Sequence, residues 1–141
     1  MVMTWPPQDV PWLVNQIYRQ VLERGVLDHN GSIMDASGLM THGCQLMNGQ
    51  ASIRDVVREL AMSAEYASKC IDSVSMHDAL EMCFERFLGR QIDEPARQHY
   101  GELYHHHHWS MRDIINDVIN SQEYTSSFGD NGVPYRRAVL V

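Results

Sequence analysis

This 141-residue chain contains four consecutive histidines, which are its most obvious candidates for metal binding: His105, His106, His107 and His108. Neutral imidazoles bind zinc, nickel or copper, and residues three apart on a helix can share a metal. Four consecutive side chains cannot all point one way, and no second pair of ligands stands at a recognisable spacing. We therefore favour a polar turn between two helices and keep metal binding as the alternative.

The three cysteines are the other candidates for chemistry. Cys44, Cys70 and Cys83 form no Cys-x-x-Cys motif and cannot all pair in disulfides, which is typical of a reducing compartment. Cys44 and Cys83 fall on apolar helical faces, so we expect free, buried thiols rather than nucleophiles or cofactor attachment points. Two pairs of carboxylates, Asp93 with Glu94 and Glu81 with Glu85, fit helix capping and solvated charge better than acid-base catalysis. We predict no catalytic residues, no cofactor and no enzymatic activity.

Composition indicates one globular domain, with 44% hydrophobic and 21% charged residues. No apolar run approaches the roughly 18 residues of a membrane span, and the first residues do not resemble a signal peptide. We therefore expect a cytoplasmic protein without membrane insertion. The formal charge of −7, with eleven scattered lysines and arginines, argues against nucleic-acid binding.

One stretch of sequence occurs twice. "SIRDVVRELAMSAEY" begins at Ser52, and "SMRDIINDVINSQEY" begins at Ser110, 58 residues later. In both copies five apolar residues recur at i, i+3, i+4, i+7 and i+8, which predicts an amphipathic helix. Each copy ends in Ser-x-Glu-Tyr, at 63–66 and 121–124, where the serine can cap a further short helix.

The start of each repeated helix is marked by a serine followed three residues later by an aspartate. These pairs are Ser52 with Asp55 and Ser110 with Asp113. The hydroxyl can accept from a free backbone N–H, and the carboxylate lies at the positive end of the helix dipole.

The duplication extends upstream, where "YRQVLER" from Tyr18 matches "FERFLGR" from Phe84, and eight extra residues follow in the first copy. In the second copy Gly89 can end one helix, and Pro95 can lie in the first turn of the next. A middle helix is expected in each copy, with apolar faces Ala36, Leu39, Met40, Gly43, Cys44, Met47 and Ala96, His99, Tyr100, Leu103, Tyr104.

Together these patterns predict an all-α fold: a helical bundle of two tandem, related modules, at about 10–70 and 76–128, in one domain. A short extended C-terminal arm, 129–141, follows. Aromatic and arginine side chains leave the bundle together there, a composition enriched at protein interfaces, although a frayed terminus is the alternative. The predicted partner contacts are Tyr124, Phe128, Pro134, Tyr135, Arg136 and Arg137.

Several of these motifs closely resemble the phycobilisome linker domain of cyanobacteria and red algae: "NGQASIRDVVRELAMSAEY", "EMCFERFLGR" and "SQEYTSSFGDNGVPYRR". The resemblance covers roughly residues 10–138 and looks closest to the rod-core linkers, whose domain ends in a similar VPY-x-R-R. It implies an all-α, non-catalytic protein without a covalent bilin. Such a linker binds within phycocyanin or allophycocyanin discs, organises the antenna at the cytoplasmic face of the thylakoid membrane, and tunes energy transfer.

Five polar motif positions are open to two interpretations. Arg54, Glu65, Arg90, Arg112 and Glu123 could pair within the domain or contact phycobiliprotein. Because polar residues recur in both copies while a partner surface should be asymmetric, we favour pairing within the domain.

The chain departs from the family in its charge and in its histidine run. Linkers of this family are generally basic, whereas this chain is acidic. We also expect it to lack the longer arms that reach a neighbouring disc. We therefore keep a second hypothesis, in which a stand-alone linker-like domain is reused outside the antenna as an accessory or metal-binding protein through His105–His108.

Overall fold

The helix signals of the sequence coincide with helices in the computed structural model, which describes residues 3–137. Within that range the fold is all-α, and the only β feature is an isolated bridge between Leu27 and Ile33. A π-helical turn, Ser68–Asp72, continues the short helix Ala64–Ala67. The helices are α1 (Val10–Leu22), α2 (Ala36–Met47), α3 (Ile53–Ala61), α4 (Ala64–Ala67), α5 (Met76–Leu88), α6 (Glu94–His106), α7 (Met111–Ile119) and α8 (Gln122–Ser127).

The repeated Ser-x-x-Asp sequences form capping boxes, as predicted. The backbone N–H of Asp55 donates to Ser52 Oγ at 3.1 Å, and the N–H of Ser52 donates to Asp55 Oδ2 at 2.9 Å. Ser110 and Asp113 make the same two bonds at the start of α7. Each box satisfies two backbone donors that would otherwise lack a partner at the helix start.

The apolar faces of the repeated helices meet in one core. α1 packs against α2 and α3, α5 packs against α7, and α3 against α7 joins the two halves of the chain. Ile17, Ile115 and Phe87 are fully buried there. Tyr66 and Tyr124, the last residues of the two Ser-x-Glu-Tyr motifs, are also completely buried.

An arginine clamp fixes the first half of the bundle. Arg24, just after α1, donates from Nε and Nη2 to the two carboxylate oxygens of Glu65, at 2.8 and 2.9 Å. The same guanidinium lies over the ring of Tyr18, 5.1 Å from the ring centroid. This bidentate geometry ties the end of α1 to α4.

The second half of the bundle repeats this clamp. Arg90 donates to both carboxylate oxygens of Glu123, at 2.6 and 2.8 Å, and lies 5.0 Å from the ring centroid of Phe84. Arg90 and Phe84 each stand 66 residues after their counterparts, and Glu123 stands 58 after Glu65. The correspondence supports the division into two related modules, whose boundaries remain a prediction.

The middle helices differ from the expected faces. On α2 the buried residues are His42, Gly43 and Leu46, whereas Cys44 is exposed and Met40 is 68% exposed. Placing Ala36, Met40 and Cys44 on the inner face was therefore wrong. Apolar residues lie on several sides of this helix, and the contact with α1 selects the side where Gly43 permits a close approach to Val10.

The middle helix of the second half is held less firmly than expected. Only Tyr100 of α6 is buried, where it donates to Asp117 Oδ2 at 2.7 Å, while His99 and Tyr104 are exposed. Assigning His99 and Tyr104 to an inner face was wrong, because the ring nitrogens of one and the hydroxyl of the other let these side chains lie in water.

We predict that Ile115→Asp unfolds the domain, because it places an unpaired charge where α7 meets the core. Thermal and urea denaturation followed by circular dichroism should show a loss of more than about 4 kcal/mol. Asn116→Asp adds the same charge at the next, exposed residue and should leave the melting curve nearly unchanged. A cooperative melt that Ile115→Asp leaves unaltered would disprove the bundle packing.

Candidate interaction surface

The segment after α8 runs back along the bundle. We call residues 133–137 the C-terminal strap. The backbone N–H of Arg137 donates to the carbonyl of Gly89 at 2.8 Å, and its Nε donates to the carbonyl of Leu88 at 2.7 Å. Its guanidinium also bonds Ser127 and Glu123. The strap is therefore anchored on the C-terminal end of α5. Residues 138–141 of the predicted arm lie outside the described part of the chain.

Gly89 makes the anchorage possible. It ends α5 in the left-handed conformation, with φ of 69°, and a Cβ at this position would collide with the carbonyl oxygen of Tyr135. Its counterpart in the first half, Glu23, has a similar φ of 58°. A glycine is thus required at position 89 for the close approach of the strap as well as for its backbone conformation.

The strap supplies, through Arg137, the counterpart of a cation that the first half carries at Lys69. In the first half, Lys69 donates to the carbonyl of Leu22 at 3.1 Å and to Glu65 at 2.8 Å. The residue 58 positions later is Ser127, which cannot do this. Arg137 takes the same two kinds of partner, a helix-terminal carbonyl and the glutamate of the arginine clamp.

Three of the predicted partner contacts are not free side chains. Tyr124 is completely buried, and Pro134, within the strap, is also buried. Arg137 is taken up by the anchorage. These positions correct the expectation that the aromatic and arginine side chains all leave the bundle together. Tyr124 faces inward because it ends the Ser-x-Glu-Tyr turn that closes the core.

The remaining predicted contacts form a small exposed group. Tyr135 is 59% exposed, and Arg136 is exposed beside it. Phe128 is half-buried and supports them, with its ring centroid 5.2 Å from that of Tyr135 and 5.4 Å from that of Tyr124. The structure therefore leaves Tyr135 and Arg136 as the accessible part of the predicted surface.

A second exposed surface was missed by the sequence reasoning. Trp12, Ile33 and Met34 are 54%, 60% and 59% exposed, and the Trp12 ring lies against Gly31. Ile33 and Met34 belong to the eight extra residues of the first copy. That insertion was the available signal, because a turn added to an otherwise repeated unit is where a particular function can be placed.

The histidine run is split by the end of a helix. His105 and His106 are the last residues of α6, and His107 and His108 follow it. The turn that was predicted to begin at His105 therefore begins at His107. Among residues 3–137 the only group of three potential metal ligands lies elsewhere, at His77, Asp78 and Glu81, with all three exposed or half-exposed.

That exposed group is already engaged. Arg97 contacts His77 Nδ1 at 2.6 Å and donates to Glu81 at 3.1 Å. A cation bound there would have to displace the guanidinium. The geometry gives no support to metal binding by this group or by the histidine run.

The polar motif positions are mostly internal pairs, as favoured from the sequence. Arg54 donates to the carbonyl of Ile119 at 2.6 and 3.0 Å, and Glu65, Arg90 and Glu123 form the two clamps. Arg112 differs, because it is exposed and has no side-chain partner among the described residues.

Two of the three cysteines are buried free thiols, as expected. Burial raises the pKa of Cys83 and is the main cause of the raised pKa of Cys70. A raised pKa disfavours the nucleophilic thiolate. The prediction that Cys44 is buried was wrong, since this thiol is exposed on α2.

Both clamp glutamates have strongly lowered pKa values. The hydrogen bonds from Arg24 bring the pKa of Glu65 to about 2, and those from Arg90 bring the pKa of Glu123 to about 2, against an ordinary value of 4.5. The ionised carboxylates therefore stabilise the fold above about pH 4.5, and that contribution is lost as the pH falls toward 2.

These features define a helical interaction module whose titratable contacts are structural pairs and caps. Comparison with known proteins assigns its family. The model of the Phycobilisome Linker polypeptide family matches residues 5–137, so the chain belongs to that family.

Its relatives include linkers of several kinds. It is 33% identical over 134 residues to the phycocyanin-associated 32.3 kDa rod linker polypeptide of Picosynechococcus sp., covering 94% of this chain and 43% of the relative. It is 32% identical over 139 residues to the phycoerythrin-associated 31.8 kDa rod linker of Microchaete diplosiphon, covering 94% and 46%. It is 30% identical over 142 residues to the Photosystem I-associated linker protein CpcL of Synechocystis sp., covering 95% and 51%.

The chain thus spans about half the length of these relatives, or less. The family resemblance read from the sequence is confirmed. The finer likeness to rod-core linkers remains a prediction.

We predict that Glu65→Gln and Glu123→Gln each lower the free energy of unfolding at pH 7 by about 1 kcal/mol, since the carboxylates are about one-third exposed. Urea denaturation at pH 7 and near pH 2.5 should show the difference from the parent shrinking at low pH. Glu102→Gln, at an exposed position, is the control. A deficit that persists unchanged at pH 2.5 would contradict this account of the clamps.

We predict that Gly89→Ala destabilises the domain more than Gly129→Ala. Both glycines have left-handed backbones, with φ of 69° and 65°, but a Cβ at Gly129 meets nothing closer than 3.8 Å. Each substitution should cost about 1 kcal/mol for the backbone, and Gly89→Ala a further 1 kcal/mol or more for the displaced strap. Urea denaturation and proteolysis after Arg136 or Arg137 measure this. Equal costs would refute the strap contact.

Proposed function

We propose that this chain is a non-catalytic linker module of a light-harvesting antenna, which binds phycobiliproteins and fixes how they are arranged. The observation that carries the proposal is the match of the linker family model to residues 5–137, nearly the whole chain. The named relatives are linkers associated with phycocyanin, phycoerythrin or photosystem I.

The contacts of the described residues fit a scaffold role. The clamps, the capping boxes and the helix-terminal cations use their polar groups to hold helices in place. A module whose lysines and arginines are mostly held in internal pairs keeps its helices fixed. This suits a protein that sets the spacing of other proteins, since little ordering entropy is lost on binding.

The proposed location is the phycobilisome, at the cytoplasmic face of the thylakoid membrane. Within residues 3–137 no helix is long and apolar enough to cross a bilayer. The proposed partners are phycocyanin, allophycocyanin or both, and no bilin or metal is required for the role.

We predict that the purified chain co-elutes with phycocyanin or allophycocyanin in size-exclusion chromatography and shifts the emission spectrum of its partner. The experiment should be run at low and at moderate salt, because exposed ion pairs weaken with ionic strength. Serum albumin, another acidic protein without bilins, is the control for attraction by charge alone. Failure to bind either phycobiliprotein, or equal binding to albumin, would reject the linker role.

A further inference from the structure

The arginines without internal partners are unevenly distributed. Of the eleven lysines and arginines, eight bond carboxylates or backbone carbonyls within the domain. Among residues 3–137, Arg19, Arg112 and Arg136 have no such side-chain partner, and all three are exposed. Arg112 lies on α7. Arg19, in the last turn of α1, and Arg136, in the strap, line one groove.

This groove runs between α1 and α5 and is positively charged in a chain of net charge −7. Four arginines, Arg19, Arg86, Arg90 and Arg136, and two glutamates, Glu23 and Glu85, line it. Arg86 pairs with Glu23 at 3.0 Å, and Arg90 is held by Glu123, so their guanidinium groups are partly neutralised. Arg19 and Arg136 remain, against one carboxylate, Glu85, without a cationic partner among residues 3–137. The groove therefore keeps a small positive charge that can bind an anionic group from outside.

An aromatic side chain stands at the edge of the groove. Tyr135 lines an adjoining hollow together with Arg19 and Gln16, so Arg19 connects the two depressions. Tyr135 and Arg136 are flanked by the buried Pro134 and the anchored Arg137, which fix their backbone. A surface held in this way loses little conformational entropy on binding.

We propose that this groove, with Arg19, Tyr135 and Arg136 as its contact residues, binds a carboxylate-rich segment of a protein partner. Guanidinium groups form bidentate bonds with carboxylates, and tyrosine beside arginine is typical of protein interfaces. A short acidic segment can lie wholly within the groove, whereas a nucleic-acid backbone would extend past it onto the acidic remainder of the chain and be repelled there. The inference deepens the proposed function, on which it rests for naming that partner as a phycobiliprotein.

Charge reversal tests the groove. Arg19→Glu and Arg136→Glu should each weaken binding to the phycobiliprotein that the parent chain binds by at least about tenfold at low salt, with a smaller loss at moderate salt. As a control, the double variant Gln8→Glu with Gln50→Glu makes the same change of net charge at exposed positions outside the groove, and it should alter the affinity by less than about twofold. Circular dichroism melts of all three variants show whether the fold is retained.

Two outcomes would overturn the proposal. Equal weakening by all three variants would mean that only the overall charge matters, and no change in any variant would mean that the partner binds elsewhere. Titration of the ¹⁵N-labelled parent chain with acetylated hexaglutamate separates this inference from the linker role. Amide shifts at Arg19, Tyr135 and Arg136 that Arg19→Glu abolishes would support the groove even without phycobiliprotein binding. The absence of those shifts, together with no phycobiliprotein binding, would reject both.

Discussion

Helix C-terminal ends that meet inside the bundle are the constraint on which the rest of this structure depends. Each leaves carbonyl groups without helical partners, and cationic side chains from other elements satisfy them. Lys69 donates to the end of α1, Arg54 to the end of α7, and Arg137 to the end of α5. Arg86 donates to the carbonyl of Val21 at 2.8 Å and so joins the two halves directly. Because most lysines and arginines of the described residues are engaged in this way or with carboxylates, few cations remain to meet a partner.

The acidic charge of the chain is therefore a poor guide to how it meets a partner. A linker at −7 would be steered badly toward an acidic protein if its charges were spread evenly. They are not spread evenly, since two of the three arginines left over from the internal pairs lie in one groove. A local positive surface on a negative molecule selects an orientation of approach, at the expense of the association rate.

The sequence predicted what depends on neighbouring residues and missed what depends on the tertiary fold. Features set by neighbouring residues were predicted correctly: the capping boxes, the end of α5 at Gly89, and the apolar faces of α3 and α7. The outward position of Cys44, the burial of Tyr124 and the anchorage of Arg137 depend on elements that meet only after folding. The clamp of Arg24 lay within a matched stretch, but its partner Glu65 is 41 residues away, which spacing alone cannot reveal.

The two halves of the bundle are similar, and the positions at which they differ give them distinct surfaces. The two halves of the core offer similar faces, whereas selective binding requires surfaces that distinguish one neighbour from another. The first half differs by its inserted turn, which exposes Ile33 and Met34 beside Trp12. The second half differs at position 127, where serine replaces the cation found at Lys69, and the strap that supplies Arg137 also presents Tyr135 and Arg136. Arg137, which bonds the carbonyl of Leu88 and the carboxylate of Glu123, thus holds the strap, and with it the exposed Arg136, at the edge of the groove.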